Sequence, residues 1–192
     1  MISRHVLNVV VRLALTFAVP VVVFELLLDP WRDTEASTVA GIMGNLGLTG
    51  ASHAFGHQIL VLPASAAPFL ATISPSCSAL AAILAFASIS LFLVRGDPFR
   101  RLGAFAAASA LVIVCNLLRI GLSVYVGLET DAEGLTIFHD WVGTAFGLLY
   151  VLGGFTVYLW VLLPSNRELL SEYQRARQQR DAAMKSDVEP VP

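Results

Sequence analysis

Four long stretches of this chain are apolar almost throughout, and they limit what it can fold into. They run from about Val6 to Leu28, Cys77 to Val94, Leu102 to Val126 and Trp141 to Leu163. A helix needs about 20 mostly apolar residues to cross the hydrocarbon core of a bilayer. The first stretch is interrupted by Arg12 and Pro20, and the third contains Arg119. The composition agrees: 56% of the 192 residues are hydrophobic and 14% are charged. An average soluble domain carries about 25% charged residues, so this chain cannot coat a soluble globule of its size. The same apolar content excludes a disordered chain. A net charge of −2 gives no basic field for nucleic acid, so no nucleic-acid partner is expected. The expected fold is an all-α integral membrane protein, a four-helix transmembrane bundle. The first stretch is too long for the apolar core of a signal peptide, and no A-x-A-type site follows closely, so it reads as a retained span.

Orientation follows from the lysines and arginines, which favour the cytoplasmic side. Arg4 and Arg12 lie at the start, Arg95, Arg100 and Arg101 between spans two and three, and Arg167, Arg175, Arg177, Arg180 and Lys185 after span four. The other two connections hold only Arg32 and are acidic, with Asp29, Asp33 and Glu35 in one and Glu129, Asp131, Glu133 and Asp140 in the other. This pattern places both termini in the cytoplasm of a multi-pass cell (inner) membrane protein with two outer loops. The first outer loop, Asp29 to Ser76, is long. Within it Ala36 to Leu48 reads as an amphipathic helix in the interface, with Val39, Ile42, Met43 and Leu46 on one side. His53 to Leu62 and Phe69 to Ile73 read as two short strands, separated by Pro63 to Pro68 in a small hairpin. Residues 1–164 form the membrane-embedded domain. Residues 165–192 form a polar cytoplasmic tail, helical from Asn166 to about Met184 and then disordered, its basic residues sensing anionic lipid weakly. The chain contains no internal repeat.

Three positions are hard to explain as packing. Cys77 lies in Ser74-Pro75-Ser76-Cys77-Ser78, where the first outer loop enters span two. A helix N-terminus offers unsatisfied N–H groups and a partial positive charge, a setting that favours thiolate. Arg119 lies about eight residues inside the outer end of span three, roughly 12 Å deep at 1.5 Å per residue. A charge buried there costs at least a few kcal/mol. Asn116 sits at i−3 on the same face. His139 lies in Phe138-His139-Asp140-Trp141-Val142-Gly143, where the second outer loop enters span four. Gly143 and Gly147 follow on its face, a lane along which a neighbouring helix or a substrate backbone can approach closely. Taken singly, each has a plainer reading: a small residue at a helix start, an arginine snorkelling to the headgroups, a histidine beside an interfacial tryptophan.

Their convergence weighs more. The orientation makes no use of Cys77 or His139, yet it sets both at the outer surface with Arg119 just beneath. A thiol, an imidazole and a fixed cation suffice for acyl transfer: the thiolate attacks a peptide carbonyl, the histidine moves protons to and from the leaving amine, and the guanidinium stabilises the oxyanion. Other groups read as bland. Cys115 faces the same side as Arg119 but about 18 Å below the outer end, so it reads as a small core residue, and a Cys77–Cys115 disulfide is not expected at such different depths. His53 and His57 have i,i+4 spacing, but Gly56 and the alternation around Phe55 argue against a helix. No metal and no cofactor is expected, and these histidines would line the outer mouth of the site. Glu25 reads as interfacial.

Cys77-Ser78, then Asn116-Leu117-Leu118-Arg119-Ile120, then Phe138-His139 with Gly143, resemble the exosortase/archaeosortase family. The resemblance covers roughly Ser74 to Phe155. It implies a membrane-embedded cysteine peptidase or transpeptidase acting on exported proteins that end in a short motif (often of Pro-Glu-Pro type), a hydrophobic helix and a basic tail. It implies Cys77 as nucleophile, Arg119 as oxyanion or carbonyl stabiliser and His139 as general acid/base, with Ser78, Asn116 and Gly143 in support. The acyl acceptor would be water, an amine or a lipid headgroup. Many members have Gly after Cys-Ser where this chain has Ala79, and the chain lacks the extra spans of large bacterial exosortases, so it resembles the compact members. The competing class is a non-enzymatic membrane carrier or assembly factor that binds an anionic solute or lipid through Arg119. Carriers often show internal pseudo-symmetry, which this chain lacks.

Overall fold

The computed structural model describes residues 4–48, 50, 53–64, 66–93, 97–163, 170, 174–175 and 177–179. Most of the expected tail, 165–192, lies outside the described residues.

Helix α1 runs from Arg4 to Asn45 without a break, 42 residues with Pro20 and Pro30 inside it. At 1.5 Å per residue this is roughly 63 Å, about twice the thickness of a hydrocarbon core. The long outer loop expected from Asp29 therefore begins as helix, and the interfacial helix expected at Ala36–Leu48 is the far end of α1. Asp29-Pro30 looks like a turn dipeptide. It does not stop the helix, because a buried face begins just past it: Ala36, Val39, Ala40 and Met43 are buried together with the Arg32 side chain, at helical spacing. The Pro30 carbonyl also accepts from the Thr34 hydroxyl at 2.8 Å. Half of the expected face is buried, since Val39 and Met43 are inside while Ile42 and Leu46 are exposed. In the first half of α1, Val9, Leu13, Phe17 and Val21 are apolar and exposed, as suits a helix surrounded by lipid.

Three antiparallel strands follow, β1 (His53–Phe55), β2 (Gln58–Val61) and β3 (Phe69–Thr72), in the order β1-β2-β3. His53–Leu62, expected as one strand, is itself a hairpin. Gly56 takes a φ of +59°, and a glycine adopts that conformation without steric cost, so the chain reverses at Gly56-His57 and pairs Phe55 with Gln58. Ile59 and Val61 point to one face and are fully buried with Ala36, Val39, Ile73, Ile120 and Val124. The Arg32 guanidinium donates to the Ile73 carbonyl at 3.0 Å and is paired with Asp29, tying the end of β3 to α1.

After a 3-10 turn at Pro75–Cys77, helix α2 spans Leu80–Ser88 and continues as a π turn over Ile89–Leu93. Helix α3 spans Pro98–Glu129, capped by Asp97, whose carboxylate accepts from the Phe99 N–H at 3.1 Å. Helix α4 (Ala132–Phe138), a π turn (His139–Gly143) and helix α5 (Thr144–Leu162) form one continuous rod. Its start at Ala132 places His139 within helix rather than in a loop. A second core cluster joins α2, α3 and α5 through Phe86, Ala104, Ala108, Val112, Tyr150 and Tyr158. Gly154 lets α5 approach closely, since a Cβ there would lie 2.9 Å from Val112 and 3.3 Å from Phe86.

Among the described residues three helices are long and apolar enough to span a membrane: Val9–Asn45, Pro98–Glu129 and Ala132–Leu162. The stretch expected as the second span is a shorter apolar helix, Leu80–Phe92. Its first residues, Cys77 to Ala79, are used in the turn that carries the thiol.

Candidate active site

Pro75 opens the 3-10 turn, and the Cys77 N–H closes it on the Ser74 carbonyl at 2.9 Å. The turn holds Cys77 buried, at 5% exposure. Its Sγ lies 2.8 Å from the Ser74 hydroxyl and 2.7 Å from His139 Nε2. Cys77 is not in the first turn of α2, which starts at Leu80. The expected influence of that helix end therefore gives way to direct pairing with an imidazole.

His139 is presented by the π turn between α4 and α5, a feature frequent at functional sites. Its Nδ1 lies 3.2 Å from the Asp140 carboxylate. With Nδ1–H donating to Asp140, Nε2 is left as an acceptor and can take the thiol proton. The Arg119 guanidinium reaches the same Nε2, its Nη2 at 3.4 Å. Arg119 is 7% exposed, and its Nε has no hydrogen-bond partner among the described residues. It lies against the glycine lane: a Cβ on Gly143 would come 3.1 Å from Arg119 Nε, and one on Gly147 would lie 3.9 Å from both Arg119 Cζ and the Tyr150 hydroxyl. The lane thus accommodates a side chain of this same protein. Cys77, Arg119 and His139 share a small cavity of about 50 Å³, closed on one side by Ile59, Ala71 and Ile73.

The other expected site residues stand further back. Ser78 ends the 3-10 turn, and its hydroxyl accepts from the Leu80 N–H at the start of α2 at 3.3 Å. Asn116 is fully buried, and its partners are Glu35 and Tyr150: its amide donates to Glu35 Oε1 at 3.0 Å and its carbonyl accepts from the Tyr150 hydroxyl at 2.8 Å. Cys115 is a free, half-buried thiol beside the second core cluster. His57 lies 3.7 Å from Asp33, and the described residues contain no His/Cys/Asp/Glu group arranged to hold a metal.

Glu35 escaped the sequence reading, which placed it in a solvated acidic loop. It is 5% exposed. One oxygen accepts from the Ala79 N–H and from Asn116, both at 3.0 Å, so a single carboxyl ties α1 to the segment just after Cys77 and to the helix that carries Arg119. The signal was its place beside Ala36 and four residues before Val39 on the apolar face of a helix. Ser74, Asp140 and Tyr150 were also missed. Tyr150 is at helical spacing from Gly143 and Gly147, on the same face. Replacing Glu35 with alanine leaves two buried donors unsatisfied, each costing about 1–3 kcal/mol. Thermal unfolding of the purified protein in detergent should show a clear drop in Tm for Glu35→Ala and a smaller one for Glu35→Gln, which keeps an acceptor. An unchanged Tm for Glu35→Ala would show that the network contributes nothing to stability.

The family model for transmembrane exosortases matches residues 3–159. No match was found among curated proteins or among solved structures. The match spans most of the chain, including every residue of the cluster, and defines a class: membrane proteins built for protein sorting. This chain belongs to the transmembrane exosortase family.

Proposed function

We propose that this chain is a membrane-embedded cysteine peptidase or transpeptidase that cleaves the C-terminal sorting signals of exported proteins at the outer face of the cell membrane. The observation that carries this reading is the approach of Cys77 Sγ to His139 Nε2 at 2.7 Å, with Arg119 on the same nitrogen at 3.4 Å. The thiol proton passes to Nε2, and the thiolate sulfur bonds to the scissile carbonyl carbon. The oxyanion that forms is held by the Arg119 guanidinium, in an apolar cavity where such a contact is worth more than in water. The imidazolium returns its proton to the leaving amine as the C–N bond breaks, leaving a thioester on Cys77. Water, an amine or a lipid headgroup then attacks the thioester and releases the thiol. Asp140 orients the imidazole throughout.

The topology that suits this chemistry has both termini in the cytoplasm, supported by the distribution of Lys and Arg. Leu80–Phe92 serves as a short fourth helix of the bundle. The substrate is an exported protein whose hydrophobic helix lies in the bilayer beside the enzyme, its motif just outside. Cys77, Arg119 and His139 are the catalytic groups; Asn116, Ser78 and Gly143 hold them in place. A co-expressed exported protein ending in Pro-Glu-Pro, a hydrophobic helix and a basic tail serves as reporter. Alkylation from outside should modify Cys77 rapidly, leave Cys115 unmodified and stop cleavage in proportion to the labelled fraction. Cleavage that continues after Cys77 is fully alkylated would rule the reading out.

A further inference from the structure

The sheet has an edge, the outer side of β3, with no strand paired to it among the described residues, and it leads to the thiol. In an antiparallel ladder, hydrogen-bonded and non-hydrogen-bonded pairs alternate along each strand. The Ile73 N–H donates to the His57 carbonyl at 2.9 Å, so residues 73, 71 and 69 turn their backbone groups toward β2, in register with His57, Ile59 and Val61. Leu70 and Thr72 turn theirs the other way. Their outward N–H groups have no hydrogen-bond partner among the described residues. The preceding outward position is Pro68, which has no N–H. The open part of the edge is therefore the part nearest Cys77.

Native sheets shield such edges with charged side chains, proline or a covering segment. β3 reads Phe-Leu-Ala-Thr, with neither charge nor proline within it. The edge is also continuous with the catalytic cavity, which Ala71, Thr72 and Ile73 line together with Cys77 and His139. An unshielded strand edge that opens onto a nucleophile has one natural occupant, an extended polypeptide.

We infer that the substrate segment beside the scissile bond binds as a fourth strand on the outer edge of β3, pairing its main chain with the N–H and C=O groups of Leu70 and Thr72. This rests on the cysteine-peptidase reading and adds to it the mode of recognition, addition of a strand to a sheet edge. Main-chain pairing supplies affinity and register, and it holds the scissile carbonyl over Cys77 in an extended conformation. Recognition of this kind tolerates many side chains and requires only that the segment be able to extend.

Two experiments test the inference. Thr72→Pro removes one outward N–H and leaves the main-chain bonds to β2 in place, since proline is accepted on edge strands; Thr72→Val, which keeps the N–H and removes only the exposed bond from Gln58 Nε2 to the Thr72 hydroxyl, serves as its control. Its expected effect is about a tenfold loss of reporter cleavage, the equivalent of one main-chain hydrogen bond, with membrane level and Cys77 alkylation unchanged. The second uses the unaltered enzyme in detergent and a synthetic peptide copying the reporter terminus, N-methylated at one backbone position at a time. Strand pairing predicts that methylation impairs cleavage at every second position near the scissile bond and is tolerated between them. Wild-type cleavage by Thr72→Pro, or N-methylation effects without a two-residue period, would overturn the inference. If cleavage instead proves independent of Cys77, it is the catalytic reading that has failed.

Discussion

Cys77→Ala is expected to abolish cleavage of the sorting-signal reporter while the protein stays in the membrane at its normal level. The substitution deletes one sulfur from a small buried site, at a stability cost on the order of 1 kcal/mol. Cys77 packs with Ile73, Ile59 and Ile120, and alanine keeps that contact in part. What disappears is the sulfur that lies 2.7 Å from His139 Nε2, the proposed site of the acyl intermediate. The comparison that gives the result its meaning is Cys115→Ala. Cys115 packs beside the second core cluster, away from the cavity lining, so cleavage should be unchanged. Reporter processing and thiol labelling, read together, check both variants. Cleavage that survives Cys77→Ala and fails with Cys115→Ala would move the nucleophile to the other thiol.

Arg119→Lys is expected to reduce turnover by about a hundredfold, the loss typical of removing one donor to an oxyanion. Lysine keeps the charge but loses the planar fork. The fork is what the surroundings are shaped for, because Gly143 and Gly147 leave a slot whose floor contacts Nε and Cζ. An ammonium in that slot cannot meet His139 and an incoming oxygen with the same pair of donors. Cys77 should still react with alkylating reagents, since its contacts to Ser74 and His139 do not pass through Arg119. Single-turnover kinetics on the reporter peptide, set beside labelling rates, separates the two. Near-normal turnover would reduce Arg119 to a source of positive charge.

The long helices were legible because lipid leaves a chain few options. The stretches at Val6–Leu28 and Leu102–Val126 lie inside α1 and α3, and the stretch from Trp141 lies within the rod that begins at Ala132. What misled was local. Asp29-Pro30 looks like a stop, yet α1 runs on past it because the next turns, from Arg32 to Met43, have a buried face. The hairpin at Gly56-His57 hides in a segment whose alternation suits a single strand. Cys77, Arg119 and His139 stood out because a cation or a reactive group in an apolar setting is costly and needs a reason. Glu35 did not, because a carboxylate among other acidic residues near a span end reads as solvated; only the continuation of α1 turns it inward. Ser74 and Asp140 touch the thiol and the imidazole, but serine and aspartate at those places are ordinary loop residues until the contact is seen.

The five-residue turn at His139–Gly143 holds one residue more than an ordinary helical turn would. The two halves of the rod are therefore out of phase, and each keeps its own angular setting. Below the turn, Tyr150, Gly154 and Tyr158 mesh with their neighbours. At its first residue, the imidazole is indexed to the thiol. Were the surplus residue lost, everything above would swing by about 100°, and the ring would face away from sulfur while the lower half stayed docked. Alignment at this centre thus depends on a miscount in the spiral, and a single-codon deletion there is expected to part the imidazole from the thiol and to turn Leu135 of α4 away from Gly127 of α3.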